Sequence, residues 1–343
     1  MYRSLPDRRA ALLGLLAVAA APLAVQAQPA YPAKPITLVI PFPPGGQTDV
    51  LGRLFGERLA QRLGQPVVVE NRPGVNGSLA SDAVARAKPD GYTLVIGGPG
   101  THAINQLVNP NVKYDTRKDF THIAMLSRVP MLMLASPELK AGTIAELVAL
   151  AKSRPGSLNV ALTGIGSSSH MTTELFKQTT HTSLNGIPYK GDMPAMTDLI
   201  GSLADLLFVP ATSALPFVQG GKLRALAVAG SQRLASLPNV PTMAEAGQPR
   251  VVNYSWTSLA GPPGMPADIV QKLNKACQEI LAQPDVITRM TTMSNEPTPG
   301  TPEQAAGFIA AATISTTFTP SGSKMTNSKE PTRTASPPPC NWH

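Results

Sequence analysis

The sequence predicts an α/β architecture in two lobes, each a mixed sheet flanked by helices, with a ligand cleft between them. Three observations point to it. The chain has 343 residues, beyond the size at which a single hydrophobic core usually keeps growing. Short β-branched runs alternate with amphipathic stretches, the pattern of βα units. Two long extended stretches, Phe120–Ser136 and Val251–Ala260, suit a chain that passes from one lobe to the other and returns.

The first series reads in order. Ile36–Ile40 is a buried strand bounded by Pro35 and Pro41. After a Pro/Gly loop, Leu51, Leu54, Phe55, Leu59 and Leu63 recur at helical spacing, and Gly64 ends that helix. Pro66–Glu70 is a second strand, Leu79–Ala87 a helix, Pro89-Asp90-Gly91 a turn and Thr93–Ile96 a third strand. Strands separated by helices imply parallel pairing through right-handed crossovers. The second series opens with a helix at Thr143–Lys152, with Thr143 as N-cap and Glu146 at capping-box spacing. A strand at Asn159–Leu162, a helix through Met171–Gln178, an extended Gly186–Tyr189 and a helix at Met193–Leu199 follow; Leu203–Val209 and Leu223–Ala229 are strands. Residues 28–128 and 250–312 thus fall to the first lobe and 129–249 to the second.

Composition excludes several functions. Hydrophobic residues make up 43%, as in a folded globular chain, and aromatics only 5%, a thin supply for stacking on bases. The net charge of +8 is spread along the chain without a Lys/Arg run, so no nucleic-acid partner is expected. Two cysteines and five scattered histidines show no metal-ligand spacing. Cys277 lies on a helical stripe with Ile269, Leu273 and Ile280, which reads as a buried thiol; a disulfide to Cys340 is open but has no support in the spacing. No prosthetic group is implied. At the N-terminus, Arg3, Arg8 and Arg9 precede an apolar run, Ala10 to Leu23, shorter than the ~20 residues of a membrane span. Val25-Gln26-Ala27 has small residues at signal-peptidase spacing, so residues 1–27 are expected to be a signal peptide cleaved after Ala27, leaving the mature protein free in the periplasm.

Two loops carry the chemistry. Pro41-Phe42-Pro43-Pro44-Gly45-Gly46-Gln47-Thr48-Asp49 follows a strand and opens a helix, where free N–H groups and the positive dipole end favour an anion. Thr48 reads as N-cap; Asp49 either meets a ligand or complements the dipole of the first turn. Thr163-Gly164-Ile165-Gly166-Ser167-Ser168-Ser169-His170 has the same placement. Ser169 stands where a dinucleotide fingerprint needs its third glycine, and Gly166 where a nucleophile elbow needs its serine. His170 reads equally as a cleft residue or a satisfied surface histidine. Neither loop brings Lys or Arg, which suits a carboxylate held by dipoles. A triad of Ser168, His170 and Asp49 would straddle two lobes that separate, so no enzymatic activity is expected.

These landmarks, with Tyr31-Pro32-Ala33-Lys34-Pro35-Ile36, Glu70-Asn71-Arg72-Pro73-Gly74, Pro89-Asp90-Gly91-Tyr92-Thr93-Leu94, Pro188-Tyr189-Lys190-Gly191 and Pro241-Thr242-Met243-Ala244-Glu245-Ala246-Gly247, carry a family likeness. From about Tyr31 to Ala312 the chain resembles the solute-binding receptors of tripartite tricarboxylate transporters, the Bug family, within the type II periplasmic binding proteins. The resemblance implies an extracytoplasmic receptor that captures a small carboxylate for the membrane subunits of such a transporter; a sensor presenting its ligand state to a membrane signalling protein is the alternative. It implies ligand contacts from Phe42, Gly46, Thr48 and Asp49 in the first loop and Gly166, Ser168, Ser169 and His170 in the second, with Thr101 and Asp205 near the cleft. The sequence departs from the family twice: Val209 follows Phe208 where an acid is usual, and residues 313–343, rich in Thr, Ser and Pro, replace a terminal helix and read as a shifted reading frame or a divergent, disordered tail.

Overall fold

Ile36–Ile40 (β1), apolar on both faces, is the centre of the first lobe, as a strand covered by helices on either side requires. The structure is a computed structural model that describes residues 30–317, with side chains to Thr313. The expected signal peptide, Cys340 and the last part of the tail lie outside the described residues.

Chain order then runs through α1 (Gln47–Leu63), β2 (Val67–Asn71), α2 (Ser78–Ala85), β3 (Thr93–Gly97), a π-turn at Gly100–Ile104 and a short α3 (Asn105–Val108). Gly64 ends α1 in the left-handed region at φ 69°, donating its N–H to Ala60 O. β2 and β3 flank β1 in parallel. The long β4 (Thr121–Ala135) follows, then α4 (Ile144–Ser153), capped by the Thr143 side chain, which accepts from Glu146 N. The second lobe adds β5 (Asn159–Leu162), α5 (Ser168–Thr180), β6 (Asn185–Pro188), α6 (Asp192–Ile200), β7 (Leu206–Pro210), α7 (Ala211–Gln219) and β8 (Arg224–Ala229). The chain returns through β9 (Tyr254–Gly261) and ends in α8 (Ala267–Leu281), α9 (Pro284–Thr292), a two-residue β10 (Glu296–Pro297) and α10 (Pro302–Thr317).

Strand order is β2-β1-β3-β9-β4-β7-β5-β6, with β8 and β10 also on β4. β4 is the shared element. Its first part, Thr121 to Pro130, pairs antiparallel with β9; its second part, Met131 to Ala135, lies between β7 and β8. Each sheet is therefore mixed: parallel pairs β1–β2, β1–β3, β5–β6 and β5–β7, antiparallel where β4 and β9 enter. Successive residues of β4 alternate faces: Met131, Met133 and Ala135 pack with Phe176 and Phe208, while Leu132 and Leu134 pack with Met196, Leu199 and Val209. The first lobe packs Leu38, Leu54 and Phe55 against Leu273, Cys277 and Ile280 of α8, so Cys277 is a buried, free thiol.

The segment from Thr313 is helical as far as Thr317, within the stretch expected to be a disordered tail. Thr313 is buried and its hydroxyl donates to Ile309 O, a back-bond that lets a threonine continue a helix. Earlier in α10, Ala305 and Ile309 are buried against Ile104, Met125 and Trp256, and the Phe308 ring meets Trp256 edge-on at 5.5 Å.

Candidate functional site

The carboxyl ends of β1, β3, β5, β6 and β7 converge between the lobes, the position at which open α/β sheets hold ligands. In the first loop Gly45 takes φ 90°, which only glycine adopts without strain. The turn is clamped by Asp49, whose carboxylate accepts from Gly45 N (2.9 Å), Asn71 Nδ2 (2.8 Å) and Arg53 Nε (3.1 Å). Burial alone would raise the Asp49 pKa; the hydrogen bonds from Arg53, Gly45 and Asn71 outweigh it and hold the carboxyl below its usual value. Gly46, in extended conformation, is the N-cap of α1, so Thr48 falls inside the first turn and does not cap the helix.

The helix start does not stand open. Gln47 N donates to Ser213 Oγ (2.9 Å) and more weakly to Asp192 Oδ2 (3.4 Å), both from the second lobe. Ser213 Oγ in turn donates to Asp192 Oδ2 at 2.6 Å. Asp192 is also the first residue of α6, so its carboxylate lies at two helix N-termini. Burial raises its pKa, opposed by the hydrogen bonds from Ser213 and Gln47.

In the second loop Ser167 is the N-cap of α5: its Oγ accepts from His170 N (3.2 Å) and donates to Gly164 O (2.7 Å). His170 Nδ1 accepts from Gly166 N (3.1 Å), and burial lowers its pKa, opposed in part by Glu174 and reinforced by Lys177. The neutral imidazole is thus a brace inside the loop. Both glycines face the first lobe at close range. A Cβ on Gly164 would lie 2.6 Å from Asn76 Oδ1, and one on Gly166, at φ 79°, 2.7 Å from Val108 Cγ2. Asn76 Nδ2 donates across the cleft to Ile165 O at 2.9 Å.

An inner cavity of about 60 Å³ lies between the loops. It adjoins an outer one of about 710 Å³, with which it shares Phe42, Pro43, Asn76 and Thr163. Gln47, Ser169 and Asp192 line the inner cavity, together with Phe42, Ser255 and Trp256; the Trp256 ring packs with Ile104, Met125 and Ile309. Two buried donors on its wall, Gln47 Nε2 and Ser169 Oγ, have no partner among the described residues, nor has the Asn76 Oδ1 acceptor. Among the described residues no Lys, Arg or His lines it. Among the described residues no three His, Cys, Asp or Glu side chains are grouped to hold a metal, and no helix is long and apolar enough to cross a membrane.

Phe42, Gly46, Thr48, Ser168 and Ser169 all line this cavity. Asp49, Gly166 and His170 do not; they shape the two loops from behind. Thr101 is fully buried under the third loop, its hydroxyl accepting from Gly98 N (3.0 Å), while Gly98, Pro99 and Gly100 form the wall. Asp205 is not near the cleft. Its carboxylate accepts from Asn159 N (2.7 Å), at the amino end of β5, whereas the serine loop leaves the carboxyl end. Val209 is buried in β7 opposite Leu132 and does not reach the cavity, though Pro210 beside it does. Motif reading misses Gln47, Asn76, Asp192, Ser213 and Trp256. Asp192 had a local signal, the preceding Pro188–Gly191 landmark; Ser213 and Trp256 had none, since the fold alone brings them in.

The tripartite tricarboxylate transporter family receptor pattern matches residues 51–316. Protein BugT of Bordetella pertussis is 38% identical over 306 residues, covering 88% of this chain and 93% of its own length. Among solved structures, R. palustris Rpa4515 with adipate is 35% identical at TM-score 0.82, covering 84% of this chain and 96% of that one. MatC from Rhodopseudomonas palustris with bound malate is also 35% identical, at TM-score 0.79, covering 83% and 98%. The chain belongs to the tripartite tricarboxylate transporter family of receptors: it is a periplasmic solute-binding protein of the type II fold and not an enzyme.

Proposed function

We propose that this receptor captures a small carboxylate in the inner cavity, with the ligand's carboxylate at the start of α5, and delivers it to the membrane subunits of a tripartite tricarboxylate-type transporter. One observation carries the reading: two buried donors, Gln47 Nε2 and Ser169 Oγ, lack protein partners on the wall of a cavity that no cation lines. Buried polar atoms are almost always paired, so a pair of orphaned donors beside a helix N-terminus marks the place of an anionic guest. Adipate and malate in the two related receptors support the ligand class. Phe42, Gly46, Thr48 and Ser168 complete the wall around that carboxylate. The lobes, 28–128 with 250–312 and 129–249, close over it about hinges where β4 changes partners after Pro130 and where the chain enters β9. Export is by the signal peptide, with maturation after Ala27.

Isothermal titration of the mature protein against acetate, propionate, succinate, malate, adipate and citrate tests this. At least one is expected to bind saturably and without turnover, and Ser169→Ala to weaken it about tenfold, the loss of one hydrogen bond to a charged group. Folded protein that binds none of the panel, nor the amino-bearing acids introduced below, would sink the proposal.

A further inference from the structure

The inner cavity is polar in a directed way. Its buried unpartnered donors, Gln47 Nε2 and Ser169 Oγ, suit a carboxylate, and acceptors stand unpartnered beside them. Asn76 Oδ1 is buried without a donor. Asp192 accepts through Oδ2 from Ser213 and Gln47, and its Oδ1 has no partner among the described residues. Asp192 is the one formally charged side chain on the inner wall. Because its carboxylate faces the start of α1, it offsets the positive end of that helix and leaves α5 as the stronger anion site. A second carboxylate on the ligand would meet Asp192 as a like charge in a partly dry cavity, where such repulsion is poorly screened. A cation would pair with it. The lysine of the cleft, Lys190, is exposed and lines the outer cavity only.

Resting on the carboxylate reading above, we propose that Asp192 makes the inner cavity selective for a monocarboxylate that carries an ammonium group. The carboxylate lies against Ser169 and Gln47, and the ammonium group lies against Asp192 and Asn76. The class is that of small amino acids and betaines, and dicarboxylates are rejected.

Matched probes separate the charges. Butyrate, β-alanine and succinate share a –CH2–CH2–COO⁻ skeleton that ends in a methyl, an ammonium or a second carboxylate; acetate and glycine betaine form a second pair. In titration calorimetry of the mature protein, β-alanine or glycine betaine is expected to bind at least tenfold tighter than its uncharged counterpart and than succinate. Asp192→Asn, which keeps the shape and removes the charge, is expected to shrink the β-alanine to succinate ratio at least tenfold. Succinate binding more tightly than β-alanine in the wild type overturns the inference while leaving the carboxylate reading intact, as does an unchanged ratio in a D192N protein shown by circular dichroism to be folded. If D192N does not fold, the wild-type ratio decides alone. Failure of every one of these probes overturns the inference, and failure of propionate, malate, adipate and citrate as well removes both readings.

Discussion

Gly166 offers a way to ask whether the lobes close as described. Alanine there has two separable costs. The first is local: φ 79° is a left-handed conformation, which costs an L-residue about 1–2 kcal/mol whether the cleft is open or shut. The second exists only in the closed state. The new methyl would lie 2.7 Å from Val108 Cγ2 and 3.1 Å from Asn105 Oδ1, both on the opposite lobe, where carbon atoms normally stop near ~3.5–4.0 Å. Forcing such a contact costs about 1–3 kcal/mol. The local cost lowers Tm by about 1.5–3 °C for a chain of this size. The closure cost lowers affinity about 5–150-fold, since ligand binds only the closed state. Calorimetry with the tightest carboxylate of the panel reads the second quantity and differential scanning fluorimetry the first. Val108→Ala removes the obstructing methyls, so Gly166→Ala combined with Val108→Ala should recover most of the affinity relative to V108A alone, with the Tm loss remaining. G166A that binds within twofold of wild type refutes the closed geometry, and so does a rescue of Tm without affinity.

Two further outcomes follow from buried groups. Asp49→Asn should cost about 1.5–3 kcal/mol, as the charged acceptor that clamps Gly45, Asn71 and Arg53 is lost. Because the folded pKa of Asp49 is depressed, its contribution is complete above the unfolded value of about 3.9 and is lost as pH falls through the lower folded value. The Tm difference between wild type and D49N should be constant near neutral pH and close only below about pH 4; a difference already closing at about pH 6 would contradict the depressed pKa. Burial pushes the Cys277 thiol up to about 12, so iodoacetamide at about pH 8 should leave its peptide unlabelled in the native protein and label it after denaturation. Rapid native labelling, read by peptide mass spectrometry, would contradict its burial.

Most of the frame was legible because it rests on local signals. Ile36–Ile40 and Asn159–Leu162 are short β-branched runs bounded by turn residues, and the structure keeps both spans. The length of Phe120–Ser136 announced a strand serving both lobes, which β4 does by changing partners after Pro130. Helix α7 was hidden: Pro210 precedes it and Pro216 lies inside it, residues that normally break a helical pattern. That helix brings Ser213 to Gln47, so the site lost a member with it. Asp49 and His170 have the right chemistry for ligands and the right loops, but each is spent bracing its own turn. Spacing places a side chain near a loop; it does not say whether the side chain points into the cleft or back into the turn. Asp205 was misplaced for a plainer reason, since a residue before β7 sits at the amino end of its strand, remote from the ligand end.

The two loops look equivalent in sequence, each a glycine turn that opens a helix, and closure makes them unequal. A helix N-terminus presents roughly half a positive charge. At α1 that charge faces Asp192, whose carboxylate is 3.4 Å from Gln47 N; at α5 it faces the buried, unpartnered Ser169 hydroxyl. The cavity, about 60 Å³ in volume, thus has an unpartnered donor at the serine loop and an acidic side chain at position 192. Ligand choice in such a site depends less on the loops, which position one carboxylate, than on the residue that faces it. Position 192 is the first residue of a helix in the same lobe as the serine loop, so it lies beside that loop before the cleft shuts, and closure brings the start of α1 onto it. Rejection of a diacid then begins before closure: a second carboxylate beside the serine loop meets Asp192 on the same lobe, and shutting the cleft removes the water that screens the two charges.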